Sequence, residues 1–185
     1  MAPFHHILAH FPVALLGVGF ILMLYRALVG SDRSRRLEES ALLPCLILGI
    51  AGGVGALLSG LSIWPVEGML ASTMGRNKII MASWMLAIWS LIVLLRWRGG
   101  EAVWNGVSRY VMLVLAGIGA LLLTTTGTLG GHLIGSPSRF SGLLKQFGWS
   151  VYETYLAPDW VLIIMVAVGL AGIVAGIGAT HPHRH

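Results

Sequence analysis

HHILAHFPVALLGVGFILMLYRAL, residues 5–28, is the stretch whose reading decides the fold. From Ile7 to Leu28 it is an apolar run of roughly the 20 residues that a bilayer core demands. Three imidazoles, His5, His6 and His10, stand where that run enters the membrane. Ionisable side chains are expensive there unless they find partners, so the cluster points to a function. Pro3 can open a helix as a first-turn proline. Pro12 then lies inside it, freeing the carbonyl of Leu8 and bending the axis beside His10. Equally, the helix can begin at Pro12, with the histidines in an ordered segment before it.

Working outward, Ser31 to Ser40 (SDRSRRLEES) is expected as a polar loop, followed by a second span from about Leu42 to Ile63. Gly49 and Gly53, then Gly52, Ala56 and Gly60, recur at four-residue spacing, which predicts close packing and a central position for this helix. Trp64-Pro65 ends it, and a short loop carrying Glu67 and Arg76 leads to a third span, about Ile79 to Leu95. The fourth, about Tyr110 to Leu129, is rich in threonines whose hydroxyls can bond the helix backbone, and it runs into Gly130-Gly131-His132-Leu133. Between Pro137 and Pro158, Phe140, Leu143, Leu144, Phe147 and Val151 recur at helical spacing. This predicts an amphipathic helix along the interface, with Trp149, Tyr152, Tyr155 and Trp160 at headgroup depth. A fifth span, about Trp160 to Ala179, and a polar tail from His181 to His185 complete the chain.

The expected architecture is therefore an all-α integral membrane bundle of five transmembrane helices. It divides into a four-helix unit (1–134), an interfacial amphipathic segment (135–158), a fifth helix (159–180) and a tail (181–185). Composition agrees: of 185 residues, 56% are hydrophobic and 10% charged, far below the charged share of soluble proteins. Mean hydropathy is +0.83. The single cysteine, Cys45, excludes an intrachain disulfide and a cysteine-based metal centre. No basic residue precedes the first apolar segment, which is long enough to span, so it is expected to stay in the mature protein.

Counting spans places the amino terminus, the loop after Trp64 and the segment after Gly135 on one side. The other side receives Arg26, Arg33, Arg35, Arg36, Arg96, Arg98, Arg109 and Arg184. By the positive-inside rule that arginine side is cytoplasmic. The expectation is a bacterial inner-membrane protein with a periplasmic amino terminus and a cytoplasmic carboxyl terminus. His5, His6, His10 and His132 then share the outer end of the bundle, together with Glu67, Arg76 and Lys78.

The opening His5-x-x-x-x-His10-Phe11-Pro12-Val13-Ala14-Leu15 resembles a bacterial family of small multi-span membrane proteins catalogued as a domain of unknown function. That family opens on His-Pro-x-x-x-His-Phe-Pro before an apolar helix. Its closing Gly-Gly-x-Leu-Val segment is similar to Gly130-Gly131-His132-Leu133-Ile134. The likeness covers roughly Phe4 to Ile134 and implies a four-helix membrane unit, with His5 and His10 as the carried-over histidines. His6 stands in place of the motif proline. Arg76-Asn77-Lys78 occupies the region before the third span where many members carry a histidine.

Imidazoles on facing helices of a bundle suit axial ligation of haem b. His10 and His132 are the preferred pair, His6 is the substitute one turn away, and His5 stands beside them. Gly130 and Gly131 would leave room for a flat macrocycle. Arg76, Lys78 and Arg139 are candidates to pair with propionates, and Glu67 to orient an imidazole. The implied role is a b-type cytochrome-like subunit passing electrons between the quinone pool and a periplasmic redox protein, rather than a stand-alone enzyme. The alternatives are a haem-free anchor or assembly subunit in contact with other membrane subunits, and a non-haem metal protein in which Met69 and Met74 would suit copper. Histidines at a span's mouth are also often plain interfacial residues bonded to carbonyls or water. No phosphate loop, nucleophile–base pair or nucleic-acid module is present, and the basic charge is explained by membrane topology.

Overall fold

A computed structural model describes residues 2–153 of the chain together with positions 164 and 167. The expected fifth span and the polar tail lie outside the described residues. Within them the order is α1 (Ala2–Val29), α2 (Asp32–Ile63), the short α3 (Val66–Ala71), α4 (Thr73–Gly99), a 3-10 turn (Gly100–Trp104), α5 (Gly106–Leu133) and α6 (Arg139–Gln146). Four of these helices are long and apolar enough to cross a membrane.

Helix α1 runs unbroken through Pro12, so the histidines lie on the helix rather than before it. Gly30, at φ 62°, turns the chain after α1. Ser31 then caps α2, its Oγ accepting from the Ser34 amide at 3.2 Å. Asp32–Ser40 is therefore helical, not the loop its polarity predicts. Asp32 complements the helix dipole, and Arg35 pairs with Glu39 one turn on, at 2.9 Å. A 32-residue helix spans roughly 48 Å at 1.5 Å per residue, against about 30 Å of hydrocarbon. Its charged first turns thus project beyond the apolar layer. Helix α4 likewise starts earlier than hydropathy alone implies, because Ser72 caps it by accepting from the Gly75 amide at 2.9 Å.

The long helices alternate in direction. α1 packs most extensively on α2 and α4 on α5, while contacts of α1 with α5 and of α2 with α4 close the ring. Glycines set these approaches, as expected where association in lipid depends on close packing. A Cβ at Gly49 would stand 2.7 Å from Leu16, and one at Gly52 would stand 2.8 Å from Phe11. Gly53 turns instead to Leu86 and Pro12, which joins α2 to α4 as well as α1. Between α4 and α5 the fully buried Trp89 lies on Gly119 and donates Nε1–H to its carbonyl at 3.2 Å. Ile21, Ile47, Leu48, Leu58 and Val114 are exposed on the outward faces, a surface suited to lipid rather than water.

At the arginine end, sequence reading missed a buried ion network. Arg96 on α4 donates through Nε and Nη2 to both carboxylate oxygens of Glu38 on α2, whose side chain is 1% exposed. Arg96 also reaches Glu101 at 2.8 Å, and Glu101 accepts from Arg26 of α1 at 2.9 Å. Three helices and the 3-10 turn are thereby tied at one junction. Nε of Arg26 and Nε1 of Trp104 are buried there without an acceptor among the described residues.

Candidate functional site

Alternation of the helices brings the start of α1, the end of α2, the start of α4 and the end of α5 to the same end of the bundle. His5, His6, His10 and His132 do share it, as span counting predicts. Their surroundings differ. The imidazole of His5 lies against Gly60, and its Nδ1 bonds Ser59 Oγ at 2.9 Å, so it is directed to α2. His10 is exposed. His6 lies one turn before His10 on α1. Among the described residues no three His, Cys, Asp or Glu side chains converge as a metal-binding group.

His132 is the exception in its environment. It sits in the last turn of α5, and its Nδ1 bonds Tyr152 Oη at 2.9 Å, with the two rings edge-on at 88°. Its Nε2 is buried and has no partner among the described residues. In the tautomer protonated at Nδ1, that N–H donates to the tyrosine oxygen and Nε2 offers its lone pair. Holding one ring nitrogen by a hydrogen bond fixes the tautomer and orientation of the other, which here is buried and unpartnered among the described residues.

The segment after α5 closes this end as a cap. Ser136 N donates to Gly131 O at 2.8 Å, Thr128 and Ser138 share a hydroxyl bond at 3.0 Å, and Asn77 Nδ2 donates to Glu153 O at 2.7 Å. Leu144, Trp149 and Val151 are buried in the core. This corrects two expectations. Among the described residues of the segment, regular helix is confined to eight, ending before Gly148 at φ 79°. Trp149, expected on a lipid-facing interfacial surface, is instead packed into the core, whereas Tyr152 is exposed and serves His132. Tyr155 and Trp160 lie outside the described residues.

The expected space beside Gly130 and Gly131 is also filled by the chain itself. A Cβ on Gly130 would meet the Lys78 ammonium at 3.4 Å, and one on Gly131 would meet the Ser136 carbonyl at 2.6 Å. These glycines admit a lysine and a tight turn, which sequence cannot distinguish from admitting a ligand. Lys78 is half-buried and has no ionic partner among the described residues. Arg76 donates to Leu70 O at 3.1 Å, and Arg139 and Glu67 are exposed. Met69 is buried and Met74 partly so, neither beside a gathered set of imidazoles.

Of the residues expected to hold haem, His132 has a buried, unpartnered ring nitrogen and Lys78 is half-buried without an ionic partner among the described residues. Of the α1 histidines, His5 is directed to Ser59 and His10 is exposed. Set against known protein families, curated proteins and solved structures, the chain matches none.

Proposed function

We propose that the chain is a membrane electron-transfer subunit that holds haem b at its histidine end. His132 would hold the haem iron and Tyr152 would orient its ring. The observation carrying this reading is the buried, unpartnered Nε2 of an imidazole whose other nitrogen is already engaged. Bound haem supplies a one-electron carrier; the chain's part is to hold the ring, keep water away with the cap and place the half-buried Lys78 where a propionate needs a cation. His10, then His6, are the α1 candidates for the second ligand. The histidine end would face the periplasm, by the arginine excess at the opposite end, and electrons would pass between the quinone pool and a periplasmic redox protein.

A second reading is a haem-free anchor or assembly subunit. It is favoured by the occupied faces of Gly130 and Gly131 and by the outward exposure of His10. Oxidised and dithionite-reduced spectra of the purified full chain separate the two. A stoichiometric Soret band that His132→Ala abolishes supports haem; colourless, folded protein supports the anchor. Comparison of His10→Ala with His6→Ala then assigns the second ligand.

A further inference from the structure

At the arginine end every glutamate is consumed internally: Glu38 by Arg96, Glu101 by Arg96 and Arg26, and Glu39 by Arg35. Arg33, Arg36 and Arg98 are left exposed, with no ionic or hydrogen-bond partner among the described residues. All three lie at the end of the bundle that holds this network, Arg33 and Arg36 in the first turns of α2 and Arg98 in the last turn of α4. Arg33 and Arg36 are three residues apart on α2 and so share a helix face, with Asp32 one turn before Arg36 as the single exposed carboxylate not already paired there among the described residues.

We propose that this end binds the phosphodiester headgroup of anionic phospholipid, with Arg33, Arg36 and Arg98 as the phosphate-binding residues. Guanidinium groups chelate phosphate oxygens in pairs, whereas an ammonium acts as a point charge. The cations at this end are all arginine, while both lysines, Lys78 and Lys145, lie in the other half of the topology. The anion expected is a lipid rather than free phosphate, because the surface continues into apolar side chains. Leu37, Ile47 and Leu48 are exposed along α2, and Trp97 beside Arg98 is 72% exposed. Such a surface holds acyl chains below the charge and an aromatic ring at the level of the headgroups.

The test is the thermal unfolding midpoint of the purified full chain in non-ionic detergent with added phosphatidylglycerol, phosphatidylcholine or inorganic phosphate. Phosphatidylglycerol should raise the midpoint, with an effect that fades as salt is added, and the other two should not. Each of Arg33→Gln, Arg36→Gln and Arg98→Gln should weaken the apparent affinity roughly fivefold, as expected for removal of one headgroup-facing charge. An equal response to phosphatidylcholine, an equal response to inorganic phosphate, or an undiminished response in the triple variant would overturn the proposal. The wild-type comparison of lipids decides the matter alone should the triple variant fail to accumulate.

Discussion

Glu38 is the residue on which a single exchange has most to act. Its carboxylate is 1% exposed and is matched by the fork of Arg96. Removing one partner of such a pair strands a buried charge, at a cost of about 3–5 kcal/mol. Arg96→Leu should therefore lower the thermal midpoint sharply, and adding Glu38→Leu should recover much of the loss. If the double variant is no more stable than the single one, the pair is not the source of the effect. His132 poses a different question, because its bond to Tyr152 orients a ring and does little for stability. Tyr152→Phe should leave the unfolding free energy within about 1 kcal/mol of wild type, the net worth of a neutral hydrogen bond. Where haem is bound, the same change should shift its reduction potential without abolishing the Soret band, through the altered ligand. Full loss of the band would mean that Tyr152 does more than orient the ring.

Among the elements, α4 and α5 show how one small residue governs a helix contact. Gly119 lies on the ring of Trp89, and an added Cβ would come within 2.8 Å of it. Gly119→Ala should destabilise by about 1–3 kcal/mol as the ring is displaced. Gly117, two residues earlier, has open space around its missing Cβ. Gly117→Ala should be neutral or stabilising by up to roughly 1 kcal/mol through helix propensity. Parallel unfolding curves in detergent distinguish packing from propensity, and equal effects at the two sites would refute the packing account. The caps act on the same scale. Ser31 and Ser72 start α2 and α4 within polar sequence, and the serine followed by Asp32 was a legible start signal for α2 that the charge of the stretch obscured.

For the whole molecule, the prediction concerns sidedness. Cys45 is the chain's only cysteine, so a Cys45→Ser background allows single reporters. With Ser136→Cys, a membrane-impermeant maleimide should label intact cells; with Asn105→Cys, it should label only after permeabilisation. Labelling of both sites from one side would contradict the alternating bundle, whereas a clean reversal would contradict only the proposed orientation. Hydropathy and span counting, which depend only on order along the chain, were enough to mark the four apolar helices and to gather the histidines at one end of the bundle. They did not reach the rotation of each helix about its axis, and that is where tertiary structure decided the chemistry. Glu38 meets Arg96 across 58 residues and His132 meets Tyr152 across 20. Gly130 and Gly131 face a lysine and a turn rather than open space. A side chain's partner depends on which face its helix turns inward, and in a chain apolar nearly all round, hydrophobicity carries little information about that face.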